Sequence, residues 1–254
     1  MFKTKLLVIA LGAAFALPAM AEDAPAASPL SFNVGAVSDY IYRGITQTSH
    51  KPALQGGVDY AHGSGLYVGA WGSNVSWIND SGAIGDVGGT ANVELDTYFG
   101  FKNTVAADFG YDVGYIRYNY LGNYAPTAGF NNADTAEVYA AASYKIVSLK
   151  YSYSLLDGFL TVPGTKGTNY IDLSVNYPVG DSGVTVGAHL GKQTFVGNGL
   201  AYTYNDYKLG ASKDFSGYVV GLALTGTDIT TGAWTYNGEQ WGKTTAALSV
   251  LHAF

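Results

Sequence analysis

Apolar and polar residues alternate with a period of two along almost the whole chain after residue 29. In the clearest run, 91–102, alanine, valine, leucine and phenylalanine share one face, while asparagine, glutamate, aspartate and lysine share the other. Successive side chains of a β-strand point to opposite faces, so this pattern predicts strands with one apolar and one polar face. We count twelve such runs, which start near Leu30, Ala53, Leu66, Ala91, Asp108, Thr135, Val147, Thr168, Val184, Tyr204, Gly217 and Trp241.

The connections between the runs alternate in length. Short ones, such as 62–65 and 103–107, follow the even-numbered runs, and long ones, such as 79–90 and 226–240, follow the odd-numbered runs. The first long connection is predicted at 44–52, so that the first strand extends to Arg43. Short turns at one end and long loops at the other are typical of outer-membrane β-barrels.

A soluble β-sandwich also has alternating strands, but two features favour a barrel. Charged residues lie in the middle of predicted strands, where an aqueous lumen accepts them and a sandwich core does not. Aromatic residues gather at the strand ends, as in the interfacial girdles of membrane barrels. At the short-turn ends these are Phe32, Tyr60, Phe99, Phe101, Phe109, Tyr111, Tyr144, Tyr177 and Phe254; at the long-loop ends they are Tyr40, Tyr42, Trp77, Tyr118, Tyr120, Tyr153, Tyr204 and Trp241.

The sequence therefore predicts an all-β fold, a transmembrane antiparallel up-and-down β-barrel of twelve strands. Two segments leave ten or fourteen strands open. In Leu66–Ile78 either set of alternate residues could face lipid, and in Asp108–Leu121 the apolar phase changes near Tyr115 and Ile116, which we interpret as a β-bulge.

The N-terminus has the pattern of a secretory signal. Lys3 and Lys5 precede an apolar core at 6–16, and Ala19-Met20-Ala21 forms a small-x-small cleavage site. An apolar core of this length is too short to span a membrane as a helix. We predict a cleaved signal peptide at 1–21, a short periplasmic lead-in at 22–29 and a barrel at 30–254. With no cysteine, the exported chain has no disulfide framework.

The predicted inner face carries more acids than bases. By strand parity we expect eleven charged residues to line the pore: Asp39, Arg43, Asp59, Glu94, Asp96, Asp112, Glu137, Lys150, Asp172, Asp206 and Lys208. Parity leaves Arg117 undecided. An acidic, water-filled lumen favours cations, and small inward residues such as Gly100 and Gly187 predict an open but narrow pore. The same charges could instead form an ion-pair network that fills a closed barrel.

Catalytic and metal-binding patterns are missing from the sequence. The four histidines have no metal-ligand spacing, so we predict no metal and no cofactor. A barrel enzyme acting on lipid or lipopolysaccharide has one weak candidate pair, Ser249 with His252. A closed structural or adhesive barrel is a further alternative. The acidic balance, with a pI near 5.0, argues against a nucleic-acid partner.

Several segments of the first three runs resemble a known family. Ser38–Gly44 (SDYIYRG), Gln47-Thr48, 52–60 (PALQGGVDY), 64–71 (SGLYVGAW) and 73–77 (SNVSW) are similar to the opening signature of the TorF family of porins. This resemblance implies a barrel in the outer membrane of a Gram-negative bacterium that passes small polar solutes. Its partners would be outer-membrane lipid, lipopolysaccharide and the barrel assembly machinery. The last residue, Phe254, resembles the C-terminal aromatic that this machinery reads.

Overall fold

The structure, a computed structural model, describes residues 28–81, 89–106, 108–126, 129–230, 232–236 and 238–254. The predicted signal peptide at 1–21 and the lead-in as far as residue 27 lie outside this range. The described residues form twelve long strands: β1 Leu30–Val37, β2 Ala53–Ala61, β3 Leu66–Asn74, β4 Val93–Ala106, β5 Phe109–Leu121, β6 Thr135–Tyr144, β7 Val147–Ser154, β8 Asn169–Pro178, β9 Val184–Thr194, β10 Tyr204–Phe215, β11 Tyr218–Thr227 and β12 Thr245–Ala253.

These strands form one closed antiparallel barrel with up-and-down order. Each strand pairs with its neighbours in the chain, and β1 pairs with β12 from Asn33↔Ala253 to Val37↔Ser249. Closure satisfies the backbone hydrogen bonds of every strand and removes free sheet edges. The predicted fold class and the count of twelve strands are confirmed. The predicted end of the first strand at Arg43 is wrong, because β1 ends at Val37.

The long connections contain short elements of their own. They are a helical turn α1 at Trp77–Asp80, 3-10 turns at Phe159–Thr161, Gly197–Tyr202 and Gly232–Trp234, and two small hairpins that pair Ile41–Tyr42 with Ile45–Thr46 and Thr235–Tyr236 with Glu239–Gln240. Within the part of the chain described here, no helix has the length and apolar character needed to cross a membrane.

The outer face of the barrel is apolar. Leu190, Leu209 and Leu222 are 63%, 58% and 58% exposed in the middle of their strands. Phe99, Tyr144, Tyr177, Phe215 and Tyr218 are also exposed, and they lie near the short turns. The predicted aromatic band at this end is therefore confirmed as an outward-facing feature.

The aromatic band predicted at the long-loop end is wrong. Tyr40, Tyr118, Tyr120, Tyr204, Trp77 and Trp241 are all buried, at 3–8% exposure. The strand residues among them lie on the inner face, and the loop residues fold over the same end of the barrel. These rings form a core across the mouth, and Tyr153, at 39%, is the one member of the predicted band that is exposed.

Both ambiguous segments have a single register. In β3 the residues Leu66 and Val68 point outward and Tyr67 and Trp71 point inward. In β5 the pairing to both neighbours is continuous through Ile116, so the predicted bulge is wrong. The apparent change of phase arises because the inner face is itself apolar and aromatic there: Ile116 points inward with 1% exposure.

Tyrosine rings fill part of the interior by lying over glycines of neighbouring strands. Tyr67 of β3 is paired with Gly100 of β4 and covers it, and Tyr139 of β6 covers Gly114 of β5 in the same way. A Cβ atom on Gly114 would lie 2.5 Å from the Tyr139 hydroxyl oxygen. The prediction that inward glycines leave room for water is therefore wrong at Gly100.

Candidate functional site

The connection after β1 turns into the barrel instead of away from it. Residues 41–46, which we call the inward hairpin, pair Ile41 with Thr46 and Tyr42 with Ile45. The two turn residues, Arg43 and Gly44, both have positive φ, at 48° and 78°. Two consecutive residues with positive φ are the geometry of a type I′ turn, the tightest connection between antiparallel strands.

The base of the inward hairpin is tied together by Asp39. Its carboxylate accepts hydrogen bonds from Thr46 Oγ1 at 2.5 Å and Thr48 Oγ1 at 3.3 Å, and His50 Nδ1 lies 2.7 Å from it. Asp39 is 5% exposed. Parity predicted Asp39 on the inner face of the first strand; in the structure Asp39 lines the cavity but belongs to the loop after β1.

The tip of the hairpin is held by Arg43. The guanidinium donates hydrogen bonds to Glu137 Oε1 and Oε2 on β6, at 3.0 and 2.7 Å, and to Gln193 Oε1 on β9, at 2.8 Å. It also lies 4.3 Å from the ring centroid of Tyr170 on β8. The side chains of Arg43 and Glu137 are 8% and 1% exposed, so this bidentate ion pair is buried. One side chain thus connects the hairpin to three strands.

The neighbours of Arg43 pack equally closely. The Tyr42 hydroxyl lies 3.3 Å from the Tyr118 hydroxyl on β5. A Cβ atom on Gly44 would lie 2.6 Å from Asp206 Cβ and 2.7 Å from Thr227 Cγ2, so only glycine fits against this wall. The hairpin therefore reaches both β5 and the wall formed by β10 and β11.

The long loops add an aromatic layer around the hairpin. Phe159 lies 5.5 Å from Phe195, and Trp234 lies 5.7 Å from Tyr204, measured between ring centroids. Asp157 holds the turn that carries Phe159, because it accepts a hydrogen bond from the Thr165 amide at 2.7 Å. The backbone N–H groups that point at this carboxylate, first that of Gly164, keep the pKa of Asp157 below its usual range.

A cavity of about 310 Å³ lies in the lumen beside the hairpin. Its lining includes hydroxyl and amide side chains, among them Ser148, Ser152, Ser174, Asn176, Thr225 and Ser249. His189 stands between two lining carboxylates, with Nδ1 3.1 Å from Asp172 and Nε2 2.7 Å from Asp206. Lys150 points its ammonium group at the Tyr139 ring, 3.9 Å from the centroid.

The structure divides the predicted pore residues into two groups. Those that line the cavity are Asp39, Arg43, Asp96, Lys150, Asp172, Asp206 and Lys208. Those that lie elsewhere on the inner side are Asp59, bound by Tyr98 at 2.7 Å; Asp112, bound by Tyr67 at 2.7 Å; Glu94, bound by Tyr40 at 2.9 Å; and Glu137, bound by Arg43. The cavity thus has a more even charge balance than the inner face as a whole.

Among the residues of this site that sequence reasoning missed are His189, Tyr170 and Gln193, the partner of Arg43 on β9. His189 lies on the polar face of its predicted strand, so parity alone identifies it as inward. Tyr170 was hidden because it appears in the sequence as one more aromatic residue near a strand end. Arg117 is on the outer side near the rim, 41% exposed, with its guanidinium 3.5 Å from Asp134.

The predicted catalytic pair does not form. Ser249 lines the cavity, while the His252 ring stacks on Tyr218 with 4.3 Å between centroids, and Tyr218 is itself exposed on the outer face. His252 Nδ1 lies 2.7 Å from the Gly217 carbonyl oxygen. The two side chains are therefore on opposite faces of β12.

Comparison with known proteins gives a family but no function. A family model described as a bacterial protein of unknown function (Gcw_chp) matches residues 21–254. The chain belongs to this family. The match does not confirm the TorF name, and no curated protein sequence matches the chain.

Solved structures show the same fold at low identity. A KdgM porin has a TM-score of 0.53 at 7% identity, covering 88% of this chain and 99% of its own. A NanC porin has a TM-score of 0.53 at 10% identity, with 89% and 98% covered. The COG4313 outer membrane channel from Pseudomonas putida F1 has a TM-score of 0.51 at 14% identity, with 92% and 100% covered.

Proposed function

We propose that the chain is an outer-membrane channel through which small polar solutes diffuse, and that the inward hairpin is its constriction. The observation that carries this proposal is a closed barrel with an apolar outer face, a lumen whose cavity is lined in part by charged and hydroxyl side chains, and a loop anchored inside it. The solved porins of similar fold support the same function. One KdgM structure is described as a complex with disordered oligogalacturonate.

The outer face supports the membrane location. Leucines on neighbouring strands, such as Leu209, Leu222 and Leu224 at 54–58% exposure, would form a contiguous apolar surface in water. Soluble proteins rarely expose such surfaces, whereas a closed barrel with an apolar band is stable in lipid. Outer-membrane lipid and lipopolysaccharide would cover this face after export with a cleaved signal peptide. Phe254, 70% exposed, would be read by the assembly machinery.

The interior charges support a preference for cations. The sequence predicts eight inward acids and three inward bases, Arg43, Lys150 and Lys208. In the structure two more basic side chains lie on the inner side: His189, which lines the cavity, and Lys102, whose ammonium group lies over the Tyr67 ring. Counted over the whole inner face, acids remain in excess, and excess negative charge raises the local concentration of cations. We therefore propose weak cation selectivity.

Conductance in a planar bilayer under a salt gradient tests this function. We expect small discrete steps with a cation-selective reversal potential. Asp96→Lys, inside the cavity, should shift the reversal potential toward anions. Asp181→Lys, in an exposed short turn, is the matched control and should not. The packed mouth also suits a closed structural barrel, and a silent bilayer with verified folding would favour that alternative over the channel.

A further inference from the structure

The cavity beside the inward hairpin lies against one side of the barrel. Strands β7–β12 supply most of its lining, and none of the described residues of β2 and β3 belongs to it. The inward residues of β11 and β12 that line it are all small: Ala223, Thr225, Ala247 and Ser249. Ala223 is paired with Ala247, and Ser249 is paired with Gly221. Small side chains on adjacent strands thus leave open space along this wall.

Aromatic rings and the carboxylates that they bind fill the opposite side. The Tyr67 hydroxyl of β3 donates to Asp112 Oδ1 of β5 at 2.7 Å and is hydrogen-bonded to the Tyr139 hydroxyl of β6. The Tyr98 hydroxyl of β4 donates to Asp59 Oδ1 of β2 at 2.7 Å. Tyr98, Tyr139 and Asp112 are all buried. Close-packed interiors hold few voids larger than a water molecule, so this side has no room for a hydrated ion.

The acids of the two sides differ in their access to the open space. Asp172 of β8 is paired across the strands with Lys150 of β7, and both side chains line the cavity. The Asp172 side chain is 27% exposed, although its carboxylate lies 3.1 Å from His189 Nδ1. Asp112, in contrast, is buried beneath Tyr67. The energy between two charges falls with their separation, so an ion in the cavity interacts more strongly with Asp172 than with Asp112.

We propose that the water-filled passage of the barrel runs along the wall of β7–β12, and that Asp172 is a selectivity-determining residue of this passage. Ions and small polar solutes pass between the charged wall, which carries Lys150, Asp172 and Lys208, and the small uncharged wall of β11 and β12. The inward acids of the packed side, Asp59 and Asp112, do not act on them. The selectivity part of this proposal rests on the proposed channel function, whereas the position of the passage does not.

Thiol reactivity tests the position of the passage without any conductance, because the chain has no cysteine of its own. Ser249→Cys lies on the proposed passage, and Ser73→Cys, at a buried inward serine of β3, is the matched control. Each folded barrel in detergent is treated with a charged methanethiosulfonate reagent, and the adduct is followed by mass spectrometry. Ser249→Cys should react about tenfold faster or more, because a buried thiol reacts only while it is transiently open. Equal rates would overturn the proposed position, and a silent bilayer would overturn the channel alone.

The reversal potential under a salt gradient tests the selectivity. Asp172→Asn leaves Lys150 without the carboxylate opposite it, so the potential should shift toward anions. Asp112→Asn removes one inward acid of the packed side and should shift the potential markedly less. Equal shifts in the two variants, or none in Asp172→Asn, would overturn the assignment. If Asp172→Asn does not fold, Ser249→Cys modified with a cationic or an anionic reagent replaces it: the two adducts should shift the potential in opposite directions, and identical potentials would overturn the passage along this wall.

Discussion

Removal of the Arg43 side chain should release the inward hairpin from the lumen. The variant lacks the three charge-assisted hydrogen bonds that Arg43 donates, to Glu137 at 3.0 and 2.7 Å and to Gln193 at 2.8 Å. Breaking a buried ion pair from one side costs about 3–5 kcal/mol, because the other charge stays buried without its partner. Since about 1.4 kcal/mol is a factor of ten, Arg43→Ala should raise the population of the undocked hairpin by roughly two to three and a half orders of magnitude.

The absence of cysteine makes this population measurable. Ile45, 2% exposed within the hairpin, can be replaced by cysteine and labelled with a maleimide in the folded barrel. When opening and closing are fast compared with labelling, the rate follows the open population. Arg43→Ala in the Ile45→Cys background should therefore label roughly 100-fold faster or more than the background alone.

Arg117→Ala is the matched control, because its ion pair with Asp134 is long, at 3.5 Å, and 41% exposed on the arginine side. Exposed pairs contribute at most about 1 kcal/mol, and this one is outside the lumen, so labelling should not change. In Arg43→Ala/Glu137→Ala the orphaned charge is also removed, and labelling should be slower than in Arg43→Ala alone. If Arg43→Ala labels no faster than Arg117→Ala, the anchoring role of Arg43 is refuted.

Four further predictions follow from local geometry. Gly44→Ala should also speed labelling of the hairpin, because the new Cβ would lie 2.6 Å from the barrel wall and the residue has a φ of 78°. Gly114→Ala should lower the free energy of unfolding by about 1–3 kcal/mol, measured by thermal unfolding, whereas Gly63→Ala, with open space around it, should not. Leu222→Arg should cost about 2–4 kcal/mol at the centre of the lipid-facing band and reduce the folded fraction in vesicles, read as altered gel mobility without boiling; equal folding would contradict the membrane-facing assignment. The backbone hydrogen bonds that lower the pKa of Asp157 stabilise the folded loop at pH values above the ordinary pKa of an aspartate. This contribution is lost as the pH falls through the folded-state pKa. Proteolysis of this loop should therefore increase at acid pH in the wild type, with a smaller pH dependence in Asp157→Asn.

The strands were predictable because their determinants are local. In a β-strand with one apolar and one polar face, apolar and polar residues alternate every two positions. This alternation can be read from the sequence without any tertiary information. Starts at Leu30, Ala53, Leu66, Thr135 and Val147 are the same in the sequence prediction and the structure. Closure into a barrel followed from the alternation of short and long connections.

The docking of the inward hairpin inside the barrel could not be predicted in the same way. Arg43 belongs to a polar, glycine-containing turn that continues the alternation of β1, and its partners Glu137 and Gln193 are 94 and 150 residues away in the chain. Which way such a turn folds depends on contacts between distant segments. The aromatic residues at the mouth were misassigned for the same reason, because a tyrosine near a strand end has the same local pattern whether it meets lipid or a hairpin.

The central claim is that the barrel is a channel narrowed by the inward hairpin, and single-channel conductance tests it most directly. The wild type is compared with a chain in which residues 41–46 are replaced by a short glycine–serine turn that stays outside the lumen. The account predicts small steps for the wild type and steps several-fold larger, with weaker selectivity, for the shortened chain. Equal conductance in the two folded proteins would contradict the constriction, and silence in both would contradict the channel itself.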